Sequence, residues 1–130
     1  MGKLIDGKWT TGSIVTSSSS GAYQRLPRTF LETISKEHKT FKPESNRYHL
    51  YVSLACPWAT RTLIYRQLKC LDKHITVSVV HPDMLEDGWK FDDSFLGATI
   101  DHLYGKKFLR EIYQKADQSI TSSVTVPVLW

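Results

Sequence analysis

The 130-residue chain carries only two cysteines, Cys56 and Cys70, and no apolar run approaching the roughly 20 residues that span a bilayer. Two cysteines are too few for a disulfide framework, so a reducing compartment is the simpler setting. Charge of one sign is nowhere concentrated: 17 Lys and Arg stand against 13 Asp and Glu, a net charge of +4, with Lys106-Lys107 the one adjacent basic pair. That scatter argues against a nucleic-acid or anionic-membrane surface and leaves an anionic small molecule open. The opening stretch Met1 to Trp9 is interrupted by charge every few residues and lacks the apolar centre of a signal peptide, so a soluble, cytoplasmic protein is expected. His38, His49, His74, His81 and His102 have no ligand spacing, and no metal site is expected.

What is present is the make-up of one ordinary globular domain, 41% hydrophobic and 23% charged. Its first third holds few signs of regular structure. SIVTSSSSG, from Ser13 to Gly21, predicts a flexible loop. Phe30, Leu31, Ile34 and His38 have the spacing of one short amphipathic helix within residues 22–38, and Pro43, Ser45 and Asn46 break the segment before Arg47. Order sharpens from Tyr48. YHLYVS predicts a strand, Pro57 suits the first turn of a following helix, and Ile64, Leu68 and Leu71 give that helix an apolar stripe. HITVSVV, from His74 to Val80, predicts a second strand, completing a parallel βαβ unit. Residues 83–105, aromatic, acidic and punctuated by glycine, match no element and resemble a functional loop. Lys106 to Ala116 predict a second helix with Phe108, Leu109, Ile112 and Tyr113 on one side, and SVTVPVLW is a β-rich run interrupted by Pro127.

Cys56 stands where the first strand gives way to the helix, in SLACPWATR. A cysteine just ahead of a helix faces the unpaired N–H groups of the first turn and the positive end of the helix dipole, which stabilise a thiolate. The competing reading is a small buried hydrophobe. Ala59 occupies the fourth position of Cys56-Pro57-Trp58-Ala59, so no internal Cys-x-x-Cys disulfide forms there. Cys70 lies about 20 Å further along at roughly 1.5 Å per helical residue, beyond the roughly 7 Å Cα limit for a disulfide, and reads as structural. One reactive thiol without a resolving partner needs an external thiol, and glutathione is the abundant one in a reducing cytosol. Val126-Pro127 adds to this, because a proline inside an apparent strand is disfavoured unless its bond is special; the alternative is a trans-proline on an edge strand.

Three separated motifs go beyond a generic pattern: NRYHLYVSLACPWATRTLIYRQLKCL, VVHPDMLEDGWKFDDSFLGATIDHLY and VTVPVLW, in that order, accompanied by GKLIDGKW and GAYQR near the start. Over essentially the whole chain they resemble the Xi-class glutathione transferases, the glutathionyl-hydroquinone reductases. The resemblance implies an α/β fold, the thioredoxin-like N-terminal domain of a glutathione transferase, truncated before the end of its sheet and before the all-helical C-terminal domain. Residues 1–47 would be an N-terminal extension with a flexible Ser-rich loop, and 48–130 a partial thioredoxin-like glutathione-binding domain. The implied activity is cleavage of S-glutathionyl-hydroquinones through a Cys56–glutathione mixed disulfide, with glutathione as co-substrate and a homodimer in full-length members. By position, Trp89 packs on glutathione, where spacing alone reads a core aromatic. Pro127 is then the cis-proline facing the thiol, and Val126 offers its backbone to the cysteinyl part of glutathione. Tyr48, Tyr51, Trp58 and Arg61 also match the family and read as packing or helix-surface residues, while Phe91, Asp92 and Asp93 read as loop-structuring.

The chain departs from the family pattern in two respects. Many relatives have a basic residue directly before VTVPV, where a glutathione carboxylate pairs with it; here Ser122-Ser123 stands there, and weaker glutathione binding is expected. Family members also continue past the equivalent of Trp130 into the rest of the sheet, a Glu-Ser pair for the γ-glutamyl end of glutathione, and a helical domain lining the hydroquinone pocket. A chain of this span is expected to leave a sheet edge and an apolar face uncovered, to fold incompletely and to lack reductase activity alone. The alternatives are a general glutathione-dependent thioltransferase or dehydroascorbate reductase acting through the same Cys56, and a non-catalytic remnant.

Overall fold

The computed structural model describes residues 1–12, 16–17, 20–24 and 27–130. Its elements run β1 (Gly2–Ile5), β2 (Lys8–Thr11), β3 (Thr16–Ser17), β4 (Tyr23–Gln24), β5 (Tyr48–Val52), α1 (Pro57–Leu68), β6 (Ile75–Val79), α2 (Leu109–Ala116), β7 (Ser122–Ser123) and β8 (Val128–Leu129). All five residues of β5 are buried. This strand is the middle of a three-stranded sheet, with β6 parallel on one side, Tyr48 opposite Ile75 and Val52 opposite Val79, and β8 antiparallel on the other, Leu50 opposite Leu129. Aromatic and branched residues suit a strand covered on both faces. The expected βαβ unit is formed, with α1 carrying the chain from β5 to β6.

The stripe of Ile64, Leu68 and Leu71 is not the face of α1 that packs. Ile64 and Leu68 are 53% and 71% exposed, whereas Ala59 is fully buried and Leu63 borders the core. Cys56, Ala59 and Leu63 recur at i, i+3 and i+7, so the thiol lies on the core-facing line of the helix. Alanine there lets the helix approach the sheet closely, and a stripe rotated by one residue points outward. Cys70, at φ 54°, ends the helix with its N–H on the Gln67 carbonyl at 3.0 Å, and it is exposed.

The second helix begins at Leu109 rather than Lys106. The Glu111 carboxylate accepts the N–H groups of Lys107 and Phe108 at 3.0 and 2.9 Å, and the Lys107 carbonyl accepts the Phe91 N–H at 2.8 Å, so the chain ahead of Leu109 is committed elsewhere. Leu109, Ile112 and Tyr113 then join Leu4, Tyr51, Val52, Phe91, Ile120, Val124 and Val126 in the core. Burial of each large apolar side chain contributes roughly 1.5–3 kcal/mol.

The helix expected within 22–38 does not form among the described residues: Tyr23–Gln24 pair antiparallel with Thr16–Ser17, and 27–38 holds no regular element. Phe30 meets the Tyr113 ring edge-on at 5.8 Å, but it and Leu31 remain exposed, too little burial to hold a helix in place. His38 instead contacts Glu32 at 2.7 Å, and its Nδ1 accepts the N–H groups of Thr40 and Phe41 at 3.1 and 2.8 Å; such local bonds compete with a helix. Residues 25–26, and 13–15 and 18–19 of the expected Ser-rich loop, lie outside the described residues.

A hairpin occupies the start of the chain. β1 and β2 pair antiparallel, Leu4 opposite Trp9, around Asp6 and Gly7 at φ 47° and 73°. Positive φ at both turn positions is what an Asp-Gly pair supplies. The same β1 pairs with β7, Lys3 opposite Ser123 and Leu4 opposite Ser122. SVTVPVLW therefore divides between two sheets, its first residue Ser123 paired with the hairpin and Val128–Leu129 with β5. No helix among the described residues is long and apolar enough to cross a membrane.

Candidate active site

The chain leaves β5 through the buried Ser53, whose Oγ accepts the Ala55 N–H and whose carbonyl accepts the Cys56 N–H, both at 3.2 Å. Cys56 follows as the N-cap of α1 in extended conformation, φ −106° and ψ 115°. Its carbonyl accepts the Thr60 N–H at 3.0 Å and the Thr60 hydroxyl at 3.2 Å. The side chain makes no capping bond, and Sγ turns instead to the Val126 carbonyl at 3.7 Å. The Val126–Pro127 peptide is cis. Val126 is buried, and its N–H has no acceptor among the described residues. An unpaired buried N–H is uncommon and is a position where a ligand carbonyl gains most.

Tyr113 fixes the approach to this pair. Its hydroxyl donates to the Thr125 carbonyl at 2.9 Å and accepts the Thr125 N–H at 3.3 Å, clamping both backbone groups of the residue before Val126. The apolar side of α2 made its burial legible. Nothing local in the sequence indicates where its hydroxyl goes.

Trp89 is partly buried at the border of the core that also holds Val126 and meets Cys56. Its carbonyl accepts the Leu109 N–H at 2.9 Å, and its indole N–H makes no hydrogen bond among the described residues. The structure thus brings Cys56 and Val126 together, and no hydrogen bond links Trp89 to either of them. A shallow hollow of about 500 Å³, lined by Leu54, Ala55, Pro57, Thr60, Arg61 and Ile64, lies on the outward side of the start of α1, and Cys56 is not part of its lining. The Arg61 guanidinium lies 4.8 Å over the exposed Trp58 ring.

Around these groups the loop residues are structurally engaged. Asp92 accepts from Lys90 at 2.7 Å and from the Ser94 N–H at 3.0 Å, and the Lys90 bond, then those from Ser94, hold its carboxyl well below the usual carboxylate range. Tyr51 donates to Asp101 at 3.0 Å; burial, reinforced by the Asp101 charge, pushes its phenol above the ordinary value, so it remains a donor. Among the described residues no three His, Cys, Asp or Glu side chains converge to hold a metal ion.

No family model matches the chain. Its sequence is 51% identical over 137 residues to the glutathionyl-hydroquinone reductase YqjG of Escherichia coli K12, covering 100% of this chain and 42% of that protein. It is also 51% identical over 114 residues to glutathione S-transferase omega-like 2 of Schizosaccharomyces pombe, covering 88% of this chain and 36% of the relative. A Xi-class glutathione transferase from Natrialba magadii shares the fold with a TM-score of 0.86 at 46% identity, across 100% of this chain and 38% of that one. The chain belongs to the Xi-class glutathione transferases. The glutathione-bound structure of YqjG, a glutathione transferase homolog from Escherichia coli K-12, matches with a TM-score of 0.75 at 50% identity, over 99% of this Xi-class chain and 38% of that structure. The fold is thus α/β and thioredoxin-like, as the motifs implied. The chain spans about two-fifths of the length of these relatives.

Proposed function

We propose that this Xi-class chain carries the reactive thiol of a glutathione-dependent reductase that cleaves S-glutathionyl-hydroquinones. The observation that carries the reading is the pairing of Cys56 with Val126: a free thiol at a helix N-cap, 3.7 Å from the carbonyl of a residue whose N–H has no acceptor among the described residues. The cysteinyl part of glutathione would pair with the Val126 backbone beside Pro127, Trp89 would pack on the tripeptide, and the sulfur would then meet Sγ. Residues 1–47 form the N-terminal extension in this reading, and 48–130 the partial thioredoxin-like glutathione-binding domain. A cytoplasmic location goes with it, because glutathione there supplies the second thiol.

Cys56, as thiolate, attacks the sulfur of the bound thioether. An S–S bond to glutathione forms as the bond from sulfur to the aromatic ring breaks; the electron pair stays on the ring carbon, which takes a proton from solvent, and the hydroquinone leaves. A second glutathione thiolate attacks the glutathionyl sulfur, frees the Cys56 thiolate and departs as oxidised glutathione. The ring carbon gains two electrons, and the two sulfurs of that disulfide give them up.

Mass analysis of the chain after exposure to an S-glutathionyl-hydroquinone tests the first half-reaction. One glutathionyl group on the Cys56 peptide, with release of hydroquinone and no adduct in Cys56→Ser, is the expected result; an adduct confined to Cys70, or none, sinks the proposal.

A further inference from the structure

Trp9 and Arg110 act on the loop that carries Trp89. Three consecutive carbonyls of that loop are held from outside it. Leu85 accepts from the Met1 amino nitrogen at 2.9 Å, Glu86 from the Trp9 indole N–H at 3.2 Å, and Asp87 from the Arg110 guanidinium, which also meets the Asp87 carboxylate at 3.3 Å. The Trp9 ring closes on Gly88: a Cβ there would lie 2.8 Å from ring atom Cη2, and the residue holds φ +76°. Arg110, its side chain only 16% exposed, stacks 5.0 Å over the Trp9 ring and 3.9 Å over Phe108. On the far side, Trp89 and Phe91 are bound to Leu109 and Lys107 through backbone bonds of 2.9 and 2.8 Å. The turn before Trp89 has no strand ladder of its own beyond one isolated bridge between Leu85 and Gly88, and loops so placed open easily unless tied.

We infer that Trp9 and Arg110 are positioning residues for Trp89, fixing the 85–89 loop so that the indole meets glutathione in one pose. The inference rests on the reading of Trp89 as a glutathione contact. An aromatic face set before the ligand arrives spares the ordering that binding would otherwise require. The hairpin thereby acts on affinity without touching the ligand.

Calorimetric titration of glutathione into the chain and its variants tests this, with the stoichiometry reporting the folded fraction. Trp89→Ala weakens binding; Trp9→Leu and Arg110→Ala each raise Kd on the order of tenfold; and Trp9→Leu combined with Trp89→Ala is no weaker than Trp89→Ala alone, because the clamp has nothing left to position. Trp9→Phe keeps the ring against Gly88 and loses only the bond to Glu86, so a smaller rise remains readable if Trp9→Leu does not fold. A merely structural role lowers the melting temperature and the stoichiometry but leaves Kd alone. Unchanged Kd in both Arg110→Ala and Trp9→Phe, or additive losses in the double variant, overturns the positioning role while the Trp89 reading survives. Unchanged Kd in Trp89→Ala, or no binding by the unaltered chain, overturns that reading and this inference together.

Discussion

In the proposed site, Cys56 and Trp89 belong to walls of different construction. The Cys56 wall is regular: β5 is hydrogen-bonded on both edges, α1 presses on it through Ala59, and Tyr113 clamps both backbone groups of Thr125 ahead of Val126. The Trp89 wall is a loop in which the Glu86 and Asp87 carbonyls rest on one side chain each, Trp9 and Arg110, while Leu85 accepts from the Met1 amino nitrogen and from the Gly88 N–H within the turn. Backbone ladders are redundant, so losing one side chain leaves many bonds in place. A clamp of single side chains has no such reserve. Substitutions in the first wall should therefore show up in chemistry or folding, and those in the second in glutathione affinity.

The largest effect expected is at the thiol itself. Cys56→Ser should abolish adduct formation, a loss of about a thousandfold or more in rate, because a neutral hydroxyl cannot form the disulfide. Its denaturation curve should stay within about 0.5 kcal/mol of the unaltered chain; a large loss of stability would mean that the thiol is structural. Gly88→Ala comes next and strikes the other wall. It adds a methyl against Trp9 at a left-handed position, which costs about 2–3 kcal/mol by urea denaturation, and it should raise Kd for glutathione in the fraction still folded. Ala59→Leu is the matched control: overpacking under α1 costs about 1–3 kcal/mol, with Kd per folded molecule near its original value. If both variants shift Kd alike, the two walls are not separable. Tyr113→Phe is smaller, about 1 kcal/mol for the lost bonds to Thr125. Its readout is a slower reaction at Cys56, since the Val126 backbone loosens.

The two walls also differ in how far the sequence discloses them. The β5–α1–β6 unit is legible because periods of 2 and 3.6 are local patterns, and Cys56-Pro57 marks the helix start. The packing face of α1 is missed by one residue: Ile64, Leu68 and Leu71 are the larger apolar groups, but Cys56, Ala59 and Leu63 make the line that meets the core. The hairpin was signalled by Asp6-Gly7. The absent helix within 22–38 had spacing in its favour, but Phe30 reaches the Tyr113 ring from irregular chain, and it and Leu31 stay exposed. Least legible are the bonds from Trp9 to Glu86 and from Arg110 to Asp87, which join residues 77 and 23 apart in the chain. No local pattern reports such pairs.

Acid should weaken the Cys56 wall through a histidine that the proposed chemistry does not use. The His102 Nδ1 lies 3.2 Å from the Val77 carbonyl, which can only accept, so that nitrogen carries a proton. Ser78 Oγ takes the His102 backbone N–H at 3.1 Å and the His102 Nδ1–H at 3.0 Å, leaving its own proton for Nε2 of His49 at 2.9 Å; Nδ1–H of His49 then donates to Thr76 at 2.7 Å. The chain of bonds between β5 and β6 thus holds His49 neutral, and a proton on Nε2 would oppose the Ser78 hydroxyl. Burial lowers the His49 pKa from its ordinary value, His102 adds to the effect, and the nearby Asp101 opposes it. The unfolded chain takes up that proton near pH 6.5 while the folded one resists, so the unfolded state binds more protons and stability falls as pH drops through that window, by at most about 1.4 kcal/mol per pH unit. Melting curves between about pH 8 and about pH 5 should show a decline of a few degrees that His49→Gln flattens. Parallel pH profiles for the two proteins would remove His49 from the account and leave both walls equally indifferent to acid.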